Sequence, residues 1–253
     1  MSTTITNALP DIPRLCTGIC EWLACVVYLL VIYRRVPLRR TIAVGLIGLP
    51  AMIAIQYFDG VMPIWFWIIG MLLAFAGMWA IILFGAGTGK REGMYIAARA
   101  FVLAELVASL HWQLVMFLNL GENPERAQLF SLLLLVVTYA ACFTVAWLIE
   151  RGNFANDAPT VATAQLAIGT GAITIVTFAM SNLSFVSTNT PFSGTVGQEV
   201  FYIRTLVDFC GFAILHAQQE QARRMEASAE LASINAQLES QHQEYLASKE
   251  NIE

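Results

Sequence analysis

The stretch GMYIAARAFVLAELVASLHWQLVMFL, Gly93–Leu118, decides the fold of this chain. A helix needs about 20 mostly apolar residues to cross a hydrocarbon core, because lipid offers the backbone no hydrogen-bonding partners. This segment has that length and carries Arg99, Glu105 and His111 inside it. A charge near the bilayer centre costs at least ~2.5–3.5 kcal/mol, so each needs a partner or a task. At about 100° per residue, the six-residue steps from Arg99 to Glu105 to His111 point the three groups about 120° apart. They cannot pair with one another. Each is expected to meet a different neighbour, which places this helix near the middle of a bundle.

The composition extends that reading to the whole chain. Of 253 residues, 57% are hydrophobic and only 13% charged, against about 25% charged in a soluble domain. The net charge of -4 gives a nucleic-acid role no electrostatic support. Five scattered cysteines without a CxxC pair indicate neither a disulfide framework nor a metal site. Six more apolar segments flank the first: Leu15–Tyr33, Thr41–Phe58, Ile64–Phe84, Leu129–Ile149, Val161–Met180 and Val200–Leu215. The last is the shortest and carries Arg204 and Asp208. No basic region precedes the first apolar run, so a removable signal peptide is not expected. The expected fold is all-α: a polytopic seven-helix transmembrane bundle over residues 1–215, followed by a cytoplasmic helix or coiled coil over 216–253.

Basic residues set the expected orientation. The loop RRVPLRR holds Arg34, Arg35, Arg39 and Arg40, the densest basic cluster. With that loop inside, Lys90, Arg91, Arg151, Arg223 and Arg224 also fall inside by alternation. This places the N-terminus outside and the tail in the cytoplasm, and an odd number of spans makes the pattern consistent. Tyr57, Trp65, Trp67, Trp112 and Tyr202 fall near outer span ends, where amphipathic rings anchor.

Several motifs resemble chemistry and lack its context. GAGTGKR at Gly85–Arg91 misses the first Gly and the Ser/Thr of a phosphate-binding loop, and it leaves a membrane helix rather than a strand. Cys16 and Cys20 have helical spacing but no His nearby, which favours small buried hydrophobes over a soft-metal site. Thr163, Ala167, Thr170, Thr174 and Thr177 share a helix face suited to close packing. No catalytic constellation is present.

Depth sorts the intramembrane charges. At ~1.5 Å per residue, Arg99 lies close enough to the inner edge to snorkel to the cytoplasm, and Glu105 lies near the middle. Glu21, His111, Arg204 and Asp208 share the outer half, with Arg204 and Asp208 spaced to pair at i,i+4. Two readings stand side by side. One is a polar pocket open to the outside, built from Glu21, His111, Trp112, Arg204 and Asp208. The other is a set of internal salt bridges that only orient helices.

From His216 onward there are three basic and seven acidic residues, six Gln, and no Gly or Pro. Good helix formers dominate. Leu231, Ile234, Leu238, Tyr245 and Ile252 fit a heptad seam, while Leu215, Ala222, Met225, Ala229 and Ala232 fit one in another phase. A phase change locally unwinds a coiled coil, which suits a parallel homodimer able to switch between two packings.

Four stretches carry a resemblance: RAFVLAELVASLHWQL (Arg99–Leu114), the expected outer loop MSNLSFVSTNTPFSG (Met180–Gly194), DFCGFAILHAQQEQARRMEASAEL (Asp208–Leu231) and YLASKENIE (Tyr245–Glu253). With the run Glu21-Trp22-Leu23-Ala24, they resemble the membrane sensor region of bacterial GHKL-type histidine kinases, which include receptors for peptide signals. The resemblance implies a multi-pass receptor in a bacterial cell membrane. In that family the tail leads to a phosphoacceptor His, commonly in an HDLKH-like motif, and then to an ATP-binding domain. Neither lies within these residues, and His216 and His242 lack the phosphoacceptor context. The resemblance thus implies no catalysis and no cofactor for the chain itself, with ATP and Mg serving only the kinase domain. The implied partners are the lipid bilayer, a second copy through the tail, an extracellular peptide or small ligand, and a response regulator reached through the kinase domain. A small secondary transporter or channel subunit, with Glu105 and His111 as a proton relay, is the competing class. A non-catalytic regulator that pairs with an intact kinase through the tail is a third.

Overall fold

Apolar runs this long have one open-ended way to satisfy their backbones in lipid, which is to become helices. The structure, a computed structural model, describes residues 14–32, 34–61, 66–118, 124–154, 164–189 and 196–250. Among them the regular elements are seven α-helices and no strand: α1 (Arg14–Val31), α2 (Leu38–Val61), α3 (Trp67–Ala86), α4 (Lys90–Phe117), α5 (Pro124–Glu150), α6 (Ala164–Asn189) and α7 (Val196–Glu250). Five contain stretches long and apolar enough to cross a membrane: Leu38–Asp59, Ile68–Ala86, Lys90–Val115, Phe130–Glu150 and Ala164–Leu183. These fit a multi-pass membrane protein. The apolar part of α1, Leu15–Val31, is shorter, and α7 is not among the five.

Helix ends fall beyond the apolar windows because polar residues join the first and last turns. Pro37 sits just before α2, and Pro124 opens α5, where a missing N–H costs nothing. At the other end of α6, Ser181–Asn189 is helical. The sequence reading had assigned it to an outer loop, yet Asn182 donates to Phe178 O at 2.7 Å within the helix. Residues 190–195 of that loop, together with Trp65, Thr163 and Ile252, lie outside the described residues.

The chain divides into two units, Met1–Leu215 and His216–Glu253. Within the first, α4 is the axis. In its apolar window 83% of residues are buried, against 22–39% in the other four membrane-length helices. It packs against α1, α3, α5 and α6, while α1 also packs on α2, α3 and α5. Small residues on α4 permit this crowding: Ala97, Ala100 and Ala104 are buried, and Phe101 between them meets Phe75 edge-on at 5.8 Å. The threonine face of α6 is inward at Thr170 and Thr177, but Ala167 lies on the exposed side, displaced by Leu166.

Helices α1, α2 and α3 are stitched closely. A Cβ on Gly18 would lie 3.2 Å from the Met52 carbonyl and the Ile53 Cα, so α1 meets the backbone of α2 itself. Pro50 stands inside α2, and one turn earlier the Gly45 carbonyl accepts the Trp22 indole N–H at 2.8 Å. The α3–α4 turn depends on Gly87 at φ 69°, whose N–H caps α3 on Leu83 O at 3.0 Å. The Gly89 N–H then donates to the Glu92 carboxylate at 3.2 Å, and Arg35 pairs with that carboxylate at 3.0 Å. The glycine-rich GAGTGKR run is thus a helix–turn–helix joint whose donors serve Glu92.

From Arg223 to Leu246 the helix of the second unit is exposed on every face. Leu231, Ile234, Leu238 and Tyr245 are 44–66% exposed, so this apolar seam is uncovered among the described residues.

Two glycine substitutions should separate packing from propensity. Gly18→Leu forces α1 off the backbone of α2 and should lower stability by about 1–3 kcal/mol. Gly171→Ala adds a Cβ that meets nothing within 4 Å and should raise it by about 0.5–1 kcal/mol. Thermal unfolding in detergent micelles reads both, and equal effects would refute this account of α1–α2.

Candidate functional site

The charges of α4 reach three places. At one level Arg99, only 1% exposed, turns into the bundle. Its Nη2 donates to both oxygens of Glu150 on α5 at 2.8 Å, and Glu150 is itself fully buried. Its Nη1 donates to the Leu215 carbonyl of α7 at 2.7 Å and to the Tyr95 hydroxyl at 3.4 Å. The guanidinium also lies 5.4 Å from the centre of the Phe154 ring. Arg99 therefore does not snorkel to the cytoplasm as its depth had implied. A carboxylate at the same depth offers two charge-assisted bonds without leaving the protein.

At the second level α4 faces α7. Glu105 and Arg204 form a direct buried ion pair. Arg204 Nε stands 3.8 Å from Asp208 Oδ2, so the expected i,i+4 pair is the looser of its two contacts. Ser109, one turn along α4, donates to Asp208 Oδ2 at 3.2 Å. One turn further, Gln113 donates to Thr205 at 2.8 Å. Positions 105, 109 and 113 thus form a polar stripe along one face of α4, and it meets Arg204, Thr205 and Asp208. Two carboxylates share one guanidinium here, and Asp208 Oδ1 is buried without a hydrogen-bond partner.

The third place involves α1, α2 and α5. Glu21 accepts from Gln56 Nε2 with both oxygens at 2.9 Å. The His111 ring meets Tyr139 of α5 edge-on at 5.7 Å, with its Nδ1 buried and unbonded. Tyr139 donates in turn to the Cys16 carbonyl at 3.1 Å. Trp112 is buried, not interfacial. Arg99 and His111 therefore both meet α5, which runs antiparallel to α4; three separate neighbours had been expected.

Four of the five residues grouped by depth thus have three separate sets of partners. Arg204 and Asp208 belong together and with Glu105, which the depth argument had left alone. Glu21 and His111 engage other groups. Of the two ends of a proton relay from Glu105 to His111, the first is ion-paired with Arg204 and the second packs its ring on Tyr139. Glu150, Gln56, Ser109 and Tyr139 were missed as partners. The matched depth of Glu150 and Arg99 was the one signal available. Cys20 and Cys25 donate to the carbonyls of Ala104 and Met78 at 3.4 and 3.9 Å, as small core residues do. Among the described residues no group of three His, Cys, Asp or Glu is placed to hold a metal ion.

A buried pair that loses one partner leaves a bare charge behind, which costs about 3–5 kcal/mol, whereas replacing both by apolar groups is far cheaper. Glu150→Gln should therefore destabilise the protein strongly, and Arg99→Met with Glu150→Leu should recover most of the loss. A double-mutant cycle on thermal unfolding checks this; additive effects would exclude direct pairing. Compared with protein-family models, curated proteins and solved structures, the chain matches none.

Proposed function

We propose that this chain is the membrane-embedded, signal-receiving region of a two-component sensor, in which α7 is the moving part. The supporting observation is how α7 is held. On its apolar side, Gly211 of α7 sits close against Ile173 of α6 and Val102 of α4. Up to Leu215, α7 is attached to α4 through polar contacts: Arg204 to Glu105, Ser109 to Asp208, Gln113 to Thr205, and Arg99 to the Leu215 carbonyl. Buried ion pairs favour discrete arrangements over intermediate ones, because a stranded charge is costly, so a displaced α7 would settle in a second paired state. The same helix carries the exposed seam of Leu231, Ile234, Leu238 and Tyr245.

In this reading a signal from outside or from within the bilayer, such as a peptide or small ligand, biases the Glu105–Arg204–Asp208 contact between two arrangements. A signal shifts such an equilibrium only by its differential affinity for the two states. The N-terminus is outside and the tail cytoplasmic, as the basic loops indicate. Two copies pair through the tail, whose heptad phases repack. The output is a histidine kinase domain that these 253 residues do not contain, with ATP and Mg as its cofactors and a response regulator as its target.

Oxidative crosslinking in native membranes tests this. Single cysteines at Leu231, Ile234, Leu238 and Tyr245, and at Ala222, Met225, Ala229 and Ala232, are placed in a cysteine-free background. Dimers should form with heptad spacing, and Glu105→Gln should change the ratio between the two sets. Absence of dimers at every position, or a ratio untouched by Glu105→Gln, would reject the proposal.

A further inference from the structure

A furrow about 600 Å³ in volume runs between α1 and α5. On α1 its wall is Ile19, Leu23, Val27 and Leu30, a continuous ridge in steps of four, four and three residues. On α5 it is Leu135, Tyr139, Phe143 and Trp147, at four-residue steps, and Ala140 beside them leaves the furrow open. The one phenol in the wall already spends its hydroxyl on the Cys16 carbonyl, and apart from Thr144 and the Trp147 indole N–H the rest of the lining is apolar. α5 is long and apolar enough to cross a membrane, so its exposed face at Val136 and Ala140 meets acyl chains.

Size selects the occupant. From Leu135 to Trp147 is 12 residues, about 18 Å along the axis at ~1.5 Å each. That is roughly one leaflet of a ~30 Å hydrocarbon core. Spread over that length, 600 Å³ leaves a cross-section of about 33 Å². A single extended acyl chain fits within that cross-section, whereas the ~10 Å body of a helix does not enter it.

Charge selects the headgroup. At the end of the furrow marked by Leu30 and Trp147, the Arg151 guanidinium stacks over the Trp147 ring at 5.1 Å. Arg34, four residues beyond Leu30, is exposed at the end of α1. The carboxylates nearby in sequence are engaged: Glu150 by Arg99 and Glu92 by Arg35. Neither Arg151 nor Arg34 has an ion-pair partner among the described residues. A tryptophan at the polar boundary with a guanidinium stacked on it is a suitable seat for a lipid phosphate.

We infer that the α1–α5 furrow is a binding site for an anionic phospholipid, with one acyl chain along the furrow and the headgroup at Arg151. The occupant lies directly against Tyr139, the residue that joins the start of α1 to His111 of α4. The site therefore touches the bundle axis from the lipid side, and its binding stands or fails independently of any signalling role.

The test is lipid retention by the full chain, extracted from bilayers of equal phosphatidylglycerol and phosphatidylcholine and read by native mass spectrometry. The wild type should retain phosphatidylglycerol preferentially. Arg151→Gln should cut that preference about fivefold while leaving total lipid bound. Ala140→Trp, which fills the furrow, should remove retention of both lipids, and Leu23→Trp from the opposite wall should do the same if Ala140→Trp unfolds the protein. Inorganic phosphate alone should not raise the unfolding temperature. Equal retention of the two lipids by the wild type, or unchanged retention in a folded furrow-filling variant, would overturn the inference. Stabilisation by inorganic phosphate matching that by phosphatidylglycerol would overturn it too.

Discussion

The bundle depends on the burial of charge along a single helix. α4 carries Arg99 and Glu105 into an environment where neither can stay bare, and each is neutralised by another helix: Glu150 of α5 and Arg204 of α7. Such pairs contribute little net stability, because desolvation offsets most of their attraction. They instead make wrong arrangements expensive. A rotation of α4 by one residue would strand two charges at once, so its register against α5 and α7 is fixed more sharply than apolar packing alone could fix it.

The same logic explains why α4 could tolerate so many alanines. Small side chains give up buried area, but they let four helices approach one axis. Close approach brings the long side chains of Arg99 and Arg204 within reach of their carboxylates. Tyr139 extends the network, with its ring against His111 and its hydroxyl on the α1 backbone. α1, α4 and α5 are thereby coupled through one phenol.

Much of this was legible in the sequence. All seven apolar runs are helical, and five of them are long and apolar enough to cross a membrane, where the backbone admits few alternatives. The central place of α4 follows from the angular spread of Arg99, Glu105 and His111. What periodicity cannot supply is which neighbour each side chain meets. Depth along the helix is one coordinate, and azimuth and helix order are two more. Glu21, His111 and Asp208 share a depth and yet meet Gln56, Tyr139 and Ser109. Arg204 shows the limit most clearly: its i,i+4 neighbour Asp208 was visible in the sequence, but Glu105, 99 positions away, was the closer partner. The inward turn of Arg99 had the same origin, since snorkelling is favoured only where no carboxylate waits at matching depth.

Pro50 gives one part of the molecule a distinct mechanical character. Proline removes a rung from the helical ladder and normally leaves a place where a helix can bend. In α2 the neighbouring turn is taken up from outside, by the Trp22 indole on the Gly45 carbonyl, while Gly18 seats α1 on the backbone at Met52 and Ile53. That turn is thus clamped by its neighbour. α1 and α2 form a stiff frame: the weak point that Pro50 would leave in a lone helix is braced from α1.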